Sequence, residues 1–591
     1  MKRSLILLSI FLLLAACGNS EGGSPVDNQE LQNQHDGDGE PGDGEPGDGE
    51  PGDGEPGDGE PGDGEPLCEP DDQQSCDCPD VEEDGLQNCE AGDWGTCICP
   101  EPPNPFLNAV FVSSQGGSIN DGLTPQSPVS SLNQALDIAA AEGRAEIYLD
   151  QGTYILNRII DFPVSIHGGR NIDDGWEPGA SPSVIDPGTF SDFGDGGLPT
   201  TMLIKRQSDS TTPTTLSNLV ISAPPTPSTI GGSLSTLRIH NVAEGALTLS
   251  NVRVEGGVAA PGLPGQNGNT APPLGETGNG VDGQDGGNND ASFNERRFGG
   301  AGGTSPCGAS GGKGGDSLGL NISDTAEDGE DGDTVGAAIG GAGGAGGQGY
   351  NQFGGTPEAG GPGQPGQNGQ PGSHGSPSSD LDGSLNANFR WSATAGSAGT
   401  AGSAGSAGGG GGGGGAEFIN NEQWPGGAGG GGGAGGCGGT GGQPGAAGGA
   451  SFTILLIDSQ VLFDRVEVIA GQGGQGGRGG DGGCGSLGGN GGDGGDRSFG
   501  NSADGGDGGH GGHGAPGGNG PGGQGGPTIG IARISSVVDG SLVSALTFQG
   551  FSGTGSSGGL SGESPSCPGV AHSSSADAGP PGHVAEQLEY Q

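Results

Sequence analysis

Carboxylate and imidazole side chains are the groups in this chain that could transfer protons in a reaction. Asp173 and Asp174 are adjacent, and His510 lies between glycines at positions 509 and 511. Acid–base cleavage of a polymer needs such groups to converge on one groove. The two aspartates, however, immediately precede Gly175 in a predicted turn, and His510 lies in glycine-rich sequence of low complexity. We therefore predict turn and surface roles for these residues and no catalytic site.

Metal binding is the second chemistry that the residue types suggest. His510 and His513 belong to a Gly-Gly-His repeat, in which two histidines lack further fixed ligands. The segment GGNGGDGGD at 488–496 is similar to a calcium-binding β-roll repeat, but it lacks the large apolar residue that fills the core of that repeat. We predict no metal site and no cofactor.

The first residues read as an export signal. Lys2 and Arg3 precede an apolar run that is too short to span a bilayer, and the run ends in Leu-Ala-Ala-Cys at Cys17. These four residues resemble the lipobox of bacterial lipoproteins, whereas the alternative is an ordinary secretory peptide with a chance cysteine. The resemblance implies that residues 1–16 are removed and that Cys17 carries palmitate-type acyl chains. Since Gly18 replaces the aspartate linked to inner-membrane retention, we expect an outer-membrane protein at the cell surface.

Ten further cysteines are expected to form disulfides in an exported chain. Zinc is the alternative for the close pairs Cys76-x-Cys78 and Cys97-x-Cys99. Their spacing of one residue is shorter than zinc sites use, and no histidine is near. We predict three disulfides in the crowded segment and two among the scattered cysteines. The crowded ones are Cys68, Cys76, Cys78, Cys89, Cys97 and Cys99, and the scattered ones are Cys307, Cys437, Cys484 and Cys567.

Composition restricts the possible partners. The chain has 591 residues, of which 145 are glycine, and its 72 acidic and 17 basic residues give a formal net charge of −55. Such a surface repels nucleic acid and attracts divalent cations without a specific site. Because glycine has no side chain to bury, any core must come from the apolar minority.

Two segments are expected to separate the anchor from the folded body. Residues 17–67 include a repeated Gly-Asp-Gly-Glu-Pro unit, whose charge and proline predict a disordered, extended tether. A calcium site in the repeat is the alternative, but the spacing of calcium loops is missing. Residues 68–100 form a small cysteine-rich module that resembles modules near the N-termini of surface lipoproteins from gliding soil bacteria. The resemblance implies a spacer or adhesion module.

The main body is predicted to be all-β. A strand at Val110–Val112, a helix and a strand at Glu146–Leu149 follow one another, and Leu132, Ala135, Leu136 and Ala139 give the helix one apolar face. The segments DGLTPQSPVSSLNQAL, IYLDQGTY and VSIHGGRN, in this order, resemble the first coils of the pectin-lyase-like superfamily. The resemblance implies a right-handed parallel β-helix whose first coils, with a capping helix, occupy residues 105–257.

Later apolar runs predict more strands of the same fold. The runs LSNLVI and LSNVRV lie 33 residues apart, which predicts stacking of equivalent strands. Further strands are expected at 451–474 and 527–550. The predicted strands include Ile147–Leu149, Leu219–Ile221, Leu249–Val254, Ile454–Ile457 and Val466–Ile469.

Glycine-rich insertions at 258–450 and 475–526 interrupt these strands, and residues 551–591 are predicted to be a disordered tail. Glycine at every third position from Gly363 to Gly375 suggests a collagen stem, but the run is short and its flanks are Gly-Gly-X. Flexible coil and packed polyglycine II helices, like those discussed for mycobacterial glycine-rich surface proteins, remain the two alternatives.

These features together predict a structural or adhesive surface lipoprotein without catalytic activity. Its expected partners are the outer membrane, through the lipid, and polysaccharide or other surface components. The alternative is a polysaccharide lyase or glycoside hydrolase of the β-helix type, since Gly-His-Gly at 509–511 is similar to a polygalacturonase tripeptide. The other motifs of that family are missing.

Overall fold

The computed structural model divides into two compact units, Met1–Pro102 and Pro103–Gln591. The predicted signal peptide, Cys17 and the tether lie outside the residues that the structure describes. Those residues are 68–590 except 70, 79–83, 92, 100–105, 189–197, 207–209, 282, 284–294, 318–324, 352–353, 387, 420–421, 499, 539–545, 553–554, 565 and 572–573.

The first unit contains a small antiparallel sheet closed by three disulfides. Its strands are β1 (Gln73–Cys76), β2 (Gly85–Glu90) and β3 (Asp93–Trp94). The bonded pairs are Cys68–Cys89, Cys76–Cys97 and Cys78–Cys99, each 21 residues apart in sequence. The prediction of disulfides here is confirmed, and the covalent bonds stabilise a segment that is too short to build a sizeable core.

The second unit begins with strand β4 (Ala109–Val112) and helix α1 (Leu132–Glu142). The Ser131 side chain accepts a hydrogen bond from the Gln134 N–H at the start of α1, and Gly143 ends the helix in the left-handed conformation at φ 65°. The four predicted apolar residues of α1 are all buried. The helix therefore packs against the apolar core that the strands share.

Parallel pairing dominates the first of the two large sheets. Seven of its strands are hydrogen-bonded side by side in the order β4-β5-β7-β11-β13-β20-β23. The other five, β6, β8, β9, β21 and β24, pair with strands of this row or with one another. Only β8 pairs antiparallel among these strands. The strands are β5 (Glu146–Asp150), β6 (Thr153–Ile155), β7 (Ser165–Asn171), β8 (Glu177–Pro178), β9 (Ser183–Asp186), β11 (Thr214–Ile221), β13 (Leu247–Glu255), β20 (Gln460–Asp464), β21 (Val466–Ile469), β23 (Val537–Val538) and β24 (Leu546–Gln549).

A second sheet of five strands is parallel throughout, in the order β10-β12-β19-β22-β25. Its strands are β10 (Thr200–Lys205), β12 (Leu234–His240), β19 (Ser451–Ile457), β22 (Thr528–Ile534) and β25 (Val584–Tyr590). Side chains of both sheets, such as Leu249 and Ile454, belong to one buried cluster. The core thus contains apolar residues from both sheets, and the predicted all-β class with parallel sheets is confirmed.

The expectation of a disordered tail over 551–591 is wrong for its last part. Strand β25 pairs along its length with β22, from Thr528 opposite Val584 to Ile534 opposite Tyr590. The apolar residues of Val584–Tyr590 do not alternate strictly with polar ones, so the local pattern for a strand is weak. The partner strand supplies the backbone hydrogen bonds that stabilise it.

Five short strands lie within the glycine-rich segments. They are β14 (Tyr350–Asn351), β15 (Ser384–Leu385), β16 (Trp391–Ser392), β17 (Glu417–Ile419) and β18 (Glu422–Trp424). Strand β14 pairs with β17, and β17 with β18, whereas β15 pairs with β16.

Equivalent strands stack with the register that the sequence repeat predicts. Leu216 of β11 lies opposite Leu249 of β13, and Ser217 lies opposite Ser250, each 33 residues later in the chain. Asn218 and Asn251 interrupt this ladder in the left-handed conformation, at φ 54° and 51°. The Asn251 side-chain amide donates to Asn218 Oδ1 at 2.8 Å. Asparagine adopts this conformation more readily than most residues. The two residues therefore form the same bend in β11 and in β13.

We predict that Asn251→Ala lowers the free energy of unfolding by about 1–2 kcal/mol, because alanine adopts positive φ poorly and cannot bond to Asn218. Asn251→Gly loses only the hydrogen bond and is expected to lie closer to the wild type. Urea unfolding monitored by circular dichroism measures both variants. Equal losses for alanine and glycine would contradict a role for the left-handed backbone.

Candidate functional site

The glycine-rich segments hydrogen-bond to one another in a repeat of three residues. The N–H groups of Gly408, Gly411 and Gly414 donate at 2.8–2.9 Å to carbonyls of a second segment, in which the accepting residues fall at the same spacing in reverse order. Three residues per turn without internal hydrogen bonds is the geometry of extended left-handed helices. These two segments therefore run antiparallel, and the glycine-rich segments pack as helices of the polyglycine II kind with both parallel and antiparallel neighbours. We call this assembly the glycine-helix array. Flexible coil is wrong for its described parts.

The segment 405–415 lies at the centre of this array and is buried along its whole length. Its N–H groups donate to three different segments, and its carbonyls accept from three others. Six neighbours thus surround one helix. The acceptors lie at 427–436, 358–367 and 327–333, and the donors at 312–315, 341–347 and 503–512.

Glycine is required wherever a neighbouring backbone packs against a helix face. A Cβ atom on Gly411 would lie closer than 3.0 Å to the carbonyl oxygen of Gly506, and one on Gly410 would approach the Lys313 carbonyl in the same way. Because three faces of the segment 405–415 meet neighbours, all three triplet positions must be small. A second segment of this composition, 425–437, is likewise buried throughout.

Segments with one glycine in three lie on the outside of the array. Gly363, Gly366 and Gly369 donate inward to carbonyls of residues 507, 510 and 513 at 2.8–2.9 Å. The residues between them, such as Gln364 and Pro365, are exposed. The collagen-like triplets therefore mark an outer helix of this single-chain array, and they do not require a three-chain stem.

Side chains at the outer positions complete the hydrogen bonding of the array. Asp507 Oδ1 accepts from the Gly494 N–H at 2.9 Å, and His510 Nδ1 accepts from the Gly491 N–H at 3.1 Å. Asp331 Oδ1 accepts from the Gly343 N–H at 2.8 Å. Carboxylate, amide, hydroxyl and neutral imidazole groups can accept in this way, whereas lysine and arginine cannot. The need for acceptors thus accounts for part of the acidic composition.

His510 and His513 are therefore placed by the array. His513 Nδ1 accepts from the Gly488 N–H at 3.1 Å, as His510 does from Gly491. This contact assigns the proton of each neutral imidazole to Nε2. A structural hydrogen bond thus accounts for both residues, and among the described residues no group of three metal-binding side chains includes them.

Asp316 forms a buried charged centre within the array. Its carboxylate accepts from the Gly299 N–H at 2.8 Å and lies 2.7 Å from Lys313 Nζ and 2.6 Å from Arg296 Nε. Burial disfavours the ionised form of Asp316, but the hydrogen bonds and the two positive charges outweigh it and hold the pKa below its usual value. Lys313 and Asp316 lie in a Gly-Gly-Lys-Gly-Gly-Asp stretch, and no sequence signal showed that Arg296 would complete the centre.

Three side chains on neighbouring strands come closest to a catalytic arrangement. His167 of β7 has Nε2 at 2.6 Å from Glu146 Oε2 of β5 and Nδ1 at 2.7 Å from Ser217 Oγ of β11. Histidine between a carboxylate and a hydroxyl can accept the hydroxyl proton. The next cross-strand pair, Ser250 and Asp464, is hydrogen-bonded at 2.7 Å in the same way. Cross-strand pairs of this kind stabilise a sheet, and that structural role is sufficient to explain these side-chain contacts.

The carboxylates considered in the sequence do not join this group. Asp173 and Asp174 are exposed in a short 3₁₀ turn, where Asn171 Oδ1 accepts from the Asp173 N–H at 3.2 Å. Within the described part of the chain, no hydrogen bond or ion pair joins either carboxylate to His510. Sequence reasoning missed Glu146, His167 and Ser217 because they are far apart in the chain and only strand register brings them together.

The ten predicted cysteines are all paired. Cys307 bonds Cys437 and Cys484 bonds Cys567, so both scattered disulfides join segments of the array. Sulfur atoms of Cys78, Cys97 and Cys99 lie within 4.8 Å of one another, which is close enough to hold a metal ion. These sulfurs already belong to disulfides, whereas zinc binds free thiolates.

Among the described residues no helix is long and apolar enough to cross a bilayer. Comparisons of the chain with protein-family models, curated proteins and solved structures found no match.

We predict that Gly411→Ala disrupts the array and lowers the free energy of unfolding by about 3 kcal/mol, since the added methyl group overlaps a backbone carbonyl that cannot move alone. Gln370→Ala introduces alanine at an exposed outer position and is the matched control. Amide hydrogen exchange should speed up around residues 405–415 and 506–512 only in Gly411→Ala. Unchanged exchange there would contradict the packed array.

We further predict that Asp507→Asn retains the stability of the wild type, whereas Asp507→Ala loses about 1 kcal/mol, because only alanine leaves the Gly494 N–H without its acceptor. The two variants remove the same charge, so electrostatic effects cancel in the comparison. Thermal unfolding of both proteins measures the difference. Equal stability would mean that outer side chains are not needed as acceptors.

Proposed function

We propose that this chain is a structural or adhesive lipoprotein of the bacterial cell surface, without catalytic activity. The observation that carries the proposal is the glycine-helix array. Its interior is occupied by backbone, and its outer positions carry short acceptor side chains. Such a construction provides stiffness and exposed area instead of a cleft for a reaction.

We propose further that the two parallel sheets form an interrupted right-handed β-helix of the pectin-lyase-like type. Three features support this fold. Strands of the two sheets alternate along the chain, the register repeats after 33 residues, and left-handed residues recur at equivalent places. Directly after strands β12, β19 and β22 of the second sheet these residues are Asn241, Asp458 and Ser535, at φ 55°, 47° and 48°.

The glycine-rich segments leave the strands at comparable positions, which supports a body built to carry them. They follow β13, β21 and β24 and return through β19, β22 and β25. The first two of these glycine-rich segments lie side by side from their start. The Ala259 N–H donates to the Gln472 carbonyl at 2.8 Å, and the Gly262 N–H donates to the Gln475 carbonyl at 2.8 Å. Stacking of strands and stacking of glycine helices thus reinforce each other.

The proposed location depends on Cys17. Acylation of this residue anchors the chain in the outer membrane, and the acidic repeat after it separates the anchor from the folded body. The net charge of −55 repels nucleic acid and favours divalent cations that bridge the protein to other anionic surfaces. Polysaccharide and other surface components are the proposed ligands.

Fractionation of cells that produce the Cys17→Ala variant tests the anchor. The variant is expected in the soluble fraction, because the signal no longer supplies an acylated cysteine, while the wild type sediments with the outer membrane. Protease added to intact cells should degrade the wild type if it lies at the cell surface. Sedimentation of Cys17→Ala with the outer membrane would overturn lipid attachment.

The non-catalytic role is tested by incubating the exported chain with a panel of acidic and neutral polysaccharides. We expect retention on some of them with no new reducing ends and no unsaturated product. Saturable turnover that is lost in His167→Asn or Ser217→Ala would establish the enzymatic alternative. Asp174→Asn is the control for an acidic side chain that lies in an exposed turn.

A further inference from the structure

An apolar groove of about 460 Å³ lies on the glycine-helix array. Three glycine-rich segments contribute to it. The first lies between β13 and β19, the second between β21 and β22, and the third between β24 and β25. Pro273 and Leu274 come from the first, Leu487 from the second and Pro568 from the third. The disulfide Cys484–Cys567 ties the third segment to the second directly beside the groove. Its volume is within the range of small-ligand and side-chain pockets.

Leu487 departs from the pattern of the outer positions. Neighbouring triplets along the same segment carry Asp481, Asn490 and Asp493 at the equivalent place. Leu487 is instead 48% exposed, and no backbone N–H gains an acceptor from it. Leu274 faces the groove from another helix and packs near Gly278. An exposed apolar wall in an otherwise polar surface is typical of a contact site.

The surroundings of the groove are acidic. Glu276 is exposed and directly follows the lining residue Gly275. Asp481 lies one helical turn before Cys484, and its carboxylate accepts from the Glu563 N–H at 2.7 Å. Arg478 is the cation here, and it lies 2.7 Å from Asp481 and 4.0 Å from Glu563. Carboxylates therefore outnumber the guanidinium, in agreement with the net charge of the chain.

We propose that this groove is a docking site for a basic peptide segment that places a short apolar stretch between positive charges. The apolar stretch fills the space between Leu274 and Leu487, and the charges lie against Glu276, Asp481 and Glu563. The site deepens the adhesive function proposed above and rests on it, because it names the class of protein partner that the array would hold. Acidic and neutral partners lack the charge that the rim attracts.

A fluorescent peptide in which four lysines flank Leu-Trp-Leu tests the site, with the exported full chain and fluorescence anisotropy as the readout. We expect saturable binding at one site. Leu487→Asp should weaken binding about 10-fold, although it adds a negative charge, because the apolar contact is worth about 1.5 kcal/mol. Ile339→Asp makes the same change at a 61% exposed position outside the groove lining and should not weaken it.

Two further peptides separate the contributions. Replacing Leu-Trp-Leu by glycines, or the lysines by serines, should each weaken binding to the wild type. Equal affinity of the glycine peptide, or equal binding by Leu487→Asp, would overturn the docking site and leave the proposed surface role intact. Sedimentation of Cys17→Ala with the outer membrane, or polysaccharide turnover, would overturn the surface role while this binding is still measurable. Mass spectrometry of the Leu487→Asp variant should detect the Cys484–Cys567 disulfide, which shows that the variant retains the fold beside the groove.

Discussion

Backbone hydrogen bonding is the constraint on which the structure depends. A glycine segment has no side chain to bury, so its ordering must be stabilised by N–H and carbonyl groups that pair with neighbours and by close packing of the chains. The segment 405–415 meets this requirement because its N–H groups donate to three segments and its carbonyls accept from three others. One helix alone would leave these groups to water, and the array therefore forms only when many segments come together.

The parallel sheets provide the frame on which these segments assemble. Apolar side chains of the two sheets form one core, and the strands stack at fixed levels. Each glycine-rich segment starts and ends at such a strand, so the sheets hold both of its ends. Loop-closure entropy grows slowly with length, which allows long insertions once both ends are fixed. The disulfides Cys307–Cys437 and Cys484–Cys567 add covalent links within the array.

Charge and hydrogen bonding are linked at the surface of the array. Outer positions favour residues that accept hydrogen bonds, and aspartate satisfies this need while adding a negative charge. Asp507 and His510 use the same geometry although their charges differ. The acidic composition is thus in part a structural requirement, and it also opposes self-association of a surface made largely of backbone.

Local sequence patterns determined several elements by themselves. Apolar runs predicted the strands, the spacing of Leu132, Ala135, Leu136 and Ala139 predicted helix α1, and the 33-residue repeat matches the observed register of Leu216 and Leu249. The even number of cysteines predicted disulfides. Tertiary structure alone decided which cysteines pair, that Val584–Tyr590 adds a strand, that Glu146, His167 and Ser217 meet, and that the glycine segments are ordered. The physical reason is that these contacts join residues far apart in the chain, and glycine carries no side-chain pattern from which a partner could be predicted.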